Sequence, residues 1–157
     1  MAECFRWVVV SLGSNVGDRE AHLSFGVERV GSFLTEMSVS GYLETEHQGR
    51  GIQPHYLNAV IVGRSSELPE VILGYLQDVE KTRYRERPYK GAPRTLDCDL
   101  ILVGDLIVES KTLTLPHPRF RERTFVLDPL LSVAPDLVDP VSGSTIEELR
   151  RGLGTQA

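Results

Sequence analysis

The sequence predicts an α+β fold in which two helices lie on one face of an antiparallel sheet. Three observations predict it. Apolar, β-branched runs occur at residues 7–12, 56–62 and 97–103, with a looser alternation over 37–45. Two stretches of helical spacing separate these runs. The resulting order of strand, helix, strand, strand, helix, strand is the split βαβ arrangement, whose two helices fall on the same side of the sheet.

Each element has a local reason. Trp7-Val8-Val9-Val10-Ser11-Leu12 suits a buried strand, because branched side chains pack well on a pleated surface, and Gly13-Ser14-Asn15 is expected to stop it in a tight turn. Asp18 is the expected cap of the first helix, with Leu23, Val27, Val30 and Leu34 recurring along one side and Gly26 and Gly31 lowering its propensity. Residues 37–45, marked by Val39 and Tyr42, form the second strand and enter a glycine-bearing loop at 47–54. Residues 56–62 form the third strand, ended by Gly63 and Ser65-Ser66.

Residues 67–80 form the second helix, with Ser66 as cap, Pro69 in the first turn, and Leu68, Ile72, Tyr75, Leu76 and Val79 on its apolar side. After the strand at 97–103, Gly104-Asp105 turns the chain into an added hairpin from 106–108 and 112–115. Helices over 123–133, ended by Pro135, and 145–153 follow. The sheet face away from the first two helices is expected to stay open, so that strand residues and bordering loops can assemble a ligand site there. Residues 1–157 are expected to form one domain.

Composition narrows the function. A net charge of −5 excludes general affinity for nucleic acid, which needs a broad cationic surface. Cys4 and Cys98 match no zinc spacing and no disulfide framework, and no apolar run approaches the length of a membrane span. A cytoplasmic monomer acting on small molecules is expected, without nucleic-acid or membrane partners.

The chemistry concentrates at Arg94-Thr95-Leu96-Asp97-Cys98-Asp99, directly before Leu100-Ile101-Leu102-Val103. If Asp97 opens that strand, the period of two aims Asp97 and Asp99 at one face and buries Cys98 on the other. Two converging carboxylates repel unless they share a cation, and an all-oxygen site favours a hard divalent ion such as Mg²⁺. Upstream, Lys81, Arg83, Arg85, Arg87, Lys90 and Arg94 form a cationic stretch with only Glu86 to offset it. The basic residues nearest the second helix have an ordinary explanation in the helix dipole, but Arg94, beyond Pro93, does not. An acidic metal pair beside guanidinium groups suits a polyphosphate.

The residues Leu12-Gly13-Ser14-Asn15, Tyr56-Leu57-Asn58-Ala59, Pro93-Arg94-Thr95-Leu96-Asp97-Cys98-Asp99 and Leu115-Pro116-His117-Pro118, with Arg123 and Phe125 beyond, occur in one register along the chain. In these stretches the chain resembles the 6-hydroxymethyl-7,8-dihydropterin pyrophosphokinases, folate-pathway enzymes that move a pyrophosphate from ATP to a pterin alcohol and release AMP. The resemblance implies a ferredoxin-like α+β fold. It implies that Asp97 and Asp99 hold two Mg²⁺ ions on the phosphates of ATP, the co-substrate, and that Arg85 and Arg94 bring guanidinium groups to the transferred phosphates. It places Gln77, Glu80, Arg87, Leu100, Thr114, His117 and Arg123 at ATP and Thr45, Tyr56, Asn58 and Phe125 around the pterin. An amide at Asn58 offers a donor and an acceptor to a pterin edge, and Phe125 offers a stacking face.

The family's Arg-Trp-Gly-Pro-Arg is here Lys90-Gly91-Ala92-Pro93-Arg94, leaving Tyr89 as the substitute aromatic. Its proline pair after the matching threonine is Glu46-His47, and an arginine before the Pro-His segment is Thr112, beside Lys111. Loops 47–54 and 83–92 are the candidate lids. His47 and His55 are assigned to the surface, and Cys98 to the core. Two rivals stand beside the pyrophosphokinase: a relative that transfers to a different flat heterocyclic alcohol, and a regulatory module that holds ATP without turning it over.

Overall fold

The computed structural model describes residues 4–45, 55–84 and 95–154. In chain order these form β1 (Arg6–Ser14), α1 (Arg19–Val30), β2 (Thr35–Val39), β3 (Leu43–Thr45), β4 (Tyr56–Ser65), α2 (Pro69–Tyr84) and β5 (Asp97–Val103). A small hairpin of β6 (Val108–Glu109) and β7 (Thr114–Leu115) follows, then a 3₁₀ turn (Phe120–Glu122), α3 (Thr124–Val133) and α4 (Ile146–Leu153). The main sheet runs β2-β4-β1-β5, with β3 also paired to β4 and every neighbour antiparallel. This is the expected α+β architecture with its added hairpin and C-terminal helices.

Side-chain alternation sorts the sheet into two cores. Val8, Val10 and Leu12 of β1, Leu57, Ala59 and Ile61 of β4, and Cys98 and Leu100 of β5 face α1 and α2, where they meet Leu23, Val30, Ile72, Leu76 and Val79. Val9, Val60, Val62, Ile101 and Leu102 form a second core with Phe120, Val126, Leu127, Leu130 and Ile146. The face expected to stay open is therefore largely covered, by the 3₁₀ turn, α3 and α4. The apolar residues on that face require a cover, since leaving them in water would cost roughly 1.5–3 kcal/mol for each large side chain.

Several boundaries differ from the sequence expectation for identifiable reasons. The strand predicted over 37–45 is two strands. At the break, Ser40 Oγ accepts the Val60 N–H at 2.9 Å, and Tyr42 is exposed, with its hydroxyl 3.1 Å from Ser24 Oγ. Gly13 and Ser14 continue β1 rather than ending it, and Gly63 lies inside β4. A Cβ at residue 63 would approach Leu34 Cβ to 2.9 Å, so glycine here permits close packing rather than a turn. α1 ends at Val30, leaving Leu34 buried in the connection to β2.

α2 starts at Pro69, and the hydroxyl engaged upstream belongs to Ser65, which accepts the Glu67 N–H. The helix runs on to Tyr84, so Arg83 belongs to it and not to a lid. Leu68 and Tyr75 are exposed and leave Ile72, Leu76 and Val79 as its core side. The α1 cap is as predicted, with Asp18 accepting the Ala21 N–H. The 145–153 helix opens on a capping box between Thr145 and Glu148. Among the described residues no helix is long and apolar enough to cross a membrane.

Candidate active site

The second core stops short of one end of the sheet, and the candidate residues gather there. The pairing aligns Leu43, Asn58, Gly13 and Asp97 across β3, β4, β1 and β5, while Ser11 lies between Val60 and Asp99 in the row behind. Asp97 and Asp99 share the face of Ile101, and Cys98 and Leu100 point into the helix-side core. Their Cα atoms are about 7 Å apart by strand geometry, close enough for both carboxylates to reach one polyphosphate. Gly13 keeps the row open: a Cβ there would lie 3.2 Å from Asn58 Oδ1 and 3.8 Å from Tyr56 Cδ1.

β5 is the edge of the sheet, and two of its exposed backbone groups are taken by candidate residues. Glu80 Oε2 accepts the Cys98 N–H at 2.9 Å, which brings a third carboxylate beside the pair. The Ile101 carbonyl accepts the His117 N–H at 2.9 Å. Burial, reinforced by Glu80, Asp99 and Asp97, pushes the Cys98 thiol well above its ordinary pKa and keeps it protonated. Burial also lowers His117; Asp99 pulls it up, and Arg123 and Arg119 push it down. The imidazole is therefore neutral at pH 7, with Nδ1 accepting the Arg119 N–H at 3.2 Å.

On the other side of the row, Asn58 is buried, and its Nδ2 donates to Thr45 Oγ1 at 2.8 Å and to the Leu43 carbonyl at 3.4 Å. Both amide hydrogens are thus engaged, leaving Oδ1 as the acceptor and the Thr45 hydroxyl as the donor offered to a ligand. This refines the expectation that Asn58 alone supplies both. α3 packs on β3 and β4. At its start the Arg123 guanidinium centre sits 5.4 Å from the centroid of the half-buried Phe125 ring.

The remaining expectations separate. Gln77 is exposed one turn before Glu80, and Thr114 is exposed on β7. The Leu100 side chain lies in the helix-side core, so only its backbone is available to a nucleotide. Arg85, Arg87 and Arg94, the Tyr89 and Glu46-His47 departures, loop 47–54 and the rest of the second candidate lid lie outside the described residues. His55 is exposed, as assigned. Neither Gly13 nor Ser11 is legible as a site former in the sequence, because Gly13-Ser14 after an apolar run reads as a turn and Ser11 lies inside that run. Only the cross-strand register reveals Gly13 between Asn58 and Asp97 and Ser11 between Val60 and Asp99.

Comparison with known proteins gives a consistent result. A family model described as 7,8-dihydro-6-hydroxymethylpterin-pyrophosphokinase matches residues 9–135. A 2-amino-4-hydroxy-6-hydroxymethyldihydropteridine pyrophosphokinase from Aquifex aeolicus is 33% identical over 143 residues, covering 91% of this chain and 89% of its own length. One so named from Synechocystis is 38% identical over 149 residues, 90% of this chain and 73% of the relative. Among solved structures, a Plasmodium falciparum HPPK-DHPS variant with SDX-DHP superposes with a TM-score of 0.76 at 13% identity. It covers 96% of this chain, which spans 46% of that longer polypeptide, and at that identity it supports the fold alone.

Proposed function

The chain belongs to the 7,8-dihydro-6-hydroxymethylpterin-pyrophosphokinase family, and from that membership we propose that it transfers pyrophosphate from ATP to the hydroxymethyl group of 6-hydroxymethyl-7,8-dihydropterin in folate biosynthesis. The substrate hydroxyl oxygen attacks the β-phosphorus, a new O–P bond forms as the hydroxyl proton passes to solvent, the bond from that phosphorus to the α–β bridging oxygen breaks, and AMP leaves with that oxygen. The observation that supports this reading is the row Asn58, Gly13, Asp97, in which a buried amide lies one strand across from the first carboxylate of the pair.

Asp97 and Asp99 fit magnesium. Both are hard oxygen donors on one face of β5, and phosphate oxygens and water would complete the coordination. Asp97 and Asp99 would hold two Mg²⁺ ions, which would supply charge neutralisation and polarisation of the phosphates. The protein's own groups orient the reactants. Asn58 Oδ1 and the Thr45 hydroxyl fix the pterin edge, Phe125 and Tyr56 border the ring, and Arg123, with Arg85, Arg87 and Arg94, matches phosphate charge. Neutral His117, whose Nδ1 already accepts the Arg119 N–H, donates from Nε2 at the nucleotide without competing with these cations, and Gln77, Glu80, Thr114 and the Leu100 backbone line the nucleotide side. No general base is assigned. The chain is proposed to work as a single-domain cytoplasmic monomer.

The test is product identity. With ATP, Mg²⁺ and hydroxymethyldihydropterin the protein is expected to release AMP and not ADP, and Asp97→Ala is expected to abolish turnover with the melting temperature near that of the wild type. Wild-type rates in that variant would refute the carboxylate assignment. ATP binding with release of neither nucleotide would favour a regulatory module.

A further inference from the structure

Arg19 opens α1, on the face of the sheet opposite the pterin-side residues. Its Nη1 donates to the His55 carbonyl at 2.7 Å and lies 2.8 Å from Glu44 Oε1. Glu44 is the middle residue of β3, and alternation turns it towards α1 while Leu43 and Thr45 turn the other way. One guanidinium nitrogen therefore bridges the residue before Thr45 and the residue before Tyr56. β3 needs such a tie. It is three residues long and pairs only with β4 among the described strands, through Leu43 with Asn58, Glu44 with Leu57 and Thr45 with Tyr56. The Ser24 and Tyr42 hydroxyls, 3.1 Å apart, add a second link from α1 to the same segment.

We propose that Arg19 is a positioning residue for the pterin pocket. Through Glu44 and the His55 carbonyl it holds β3 against β4, so that the Thr45 hydroxyl stays on Asn58 Nδ2 and Asn58 Oδ1 stays aimed at the substrate. Arg19 touches no substrate itself. The inference rests on the assignment of Thr45, Tyr56 and Asn58 to the pterin. Both partners of the pair keep solvent contact, so its loss changes global stability little. What it changes is the fraction of molecules with the pocket assembled, and apparent affinity falls in proportion to that fraction.

Arg19→Gln is expected to raise the KM for hydroxymethyldihydropterin roughly five- to tenfold while the KM for ATP stays within about twofold. Its melting temperature should stay within about 2 °C of the wild type. Arg19→Lys, which keeps the charge but not the planar fork, should recover part of the loss. An unchanged pterin KM in Arg19→Gln overturns the proposal, and so does an equal rise in both KM values with a lower melting temperature, which would mark a general structural role. Amide exchange across residues 43–45, measured without substrate, should accelerate in Arg19→Gln, and unchanged exchange also overturns it. Absence of pterin turnover by the wild type would refute the assigned activity, while the exchange measurement would still decide the tie.

Discussion

Asp139 is fully buried, far in sequence from the acidic pair, and provides a stability test with a definite sign. Its carboxylate accepts from Arg121 Nε, from Arg121 Nη2 at 2.8 Å, from the Val141 N–H at 3.0 Å and from Ser142 Oγ at 2.7 Å. Burial alone would raise its pKa, but the Arg121, Ser142 and Val141 hydrogen bonds and the guanidinium charge outweigh it and bring the group from an ordinary 3.8 to about 2. A carboxyl depressed by folding stabilises fully above the unfolded value and loses that contribution as pH falls through the folded one. The difference amounts to about 2 kcal/mol at pH 7, of which about half remains at pH 3. Asp139→Asn should therefore lower the melting temperature by about 4–8 °C at pH 7. The gap between variant and wild type should narrow on acidification from pH 4 towards pH 3. Melts of both proteins across pH 3–7 measure it. A gap that stays constant over that range, or one below about 2 °C at pH 7, would refute the account of Asp139 as a charged anchor for the turn before Arg123.

Two glycines on the sheet should respond differently to alanine. Gly63→Ala drives a Cβ to 2.9 Å from Leu34 Cβ and 3.1 Å from the Thr35 carbonyl, and is expected to cost about 1–3 kcal/mol in a denaturant melt. Gly13→Ala meets Asn58 Oδ1 at 3.2 Å with no comparable backbone contact. Its stability should shift by less than about 1 kcal/mol, while the KM for the pterin rises.

What was legible in the sequence was local. Asp18 could be read as a cap because the hydrogen bond it makes reaches only three residues along. The strand from Asp97 to Val103 is legible with its observed bounds because an apolar run, an acidic start and a Gly104 turn coincide. The break at Ser40 was hidden because the group competing with the ladder is the Val60 N–H, 20 residues away. The place of Gly63 inside a strand depends on Leu34, which packs across from the start of β2. The cover on the second face was hidden for a similar reason. Val9, Val60 and Ile101 read as buried strand residues whichever helices meet them, and nothing local assigns Phe120 and Leu127 to that face. Arg19 carried no signal at all, since its acceptor at His55 lies 36 residues along the chain.

The border of the site is set by a departure from regular alternation. A period of two carried through β5 would place Asp97, Asp99, Ile101 and Val103 on one face and Leu102 on the other. In the structure the pairing with β1 slips between Val9 and Val10, so Val9 meets Leu102, Val10 meets Leu100, and Ile101 is the extra residue. Beyond the slip, Leu102 joins the second core with Ile101 and Val103 returns to the helix side. The bulge thus divides the face. On one side the strand presents carboxylates, and on the other it is sealed under the 3₁₀ turn, α3 and α4. It also has a direct consequence for chemistry, because the Ile101 carbonyl at the bulge is the acceptor that docks His117, two residues from Asp99 on the strand. With Glu80 held on the Cys98 N–H, two candidate nucleotide residues from distant parts of the chain are fixed to the same edge strand, on either side of Asp99. An edge that would otherwise invite pairing with another chain is blocked at these positions by Glu80 and His117. The carboxylate pair follows from regular alternation, and the irregularity that sequence periodicity cannot represent lies where His117 docks on the same strand.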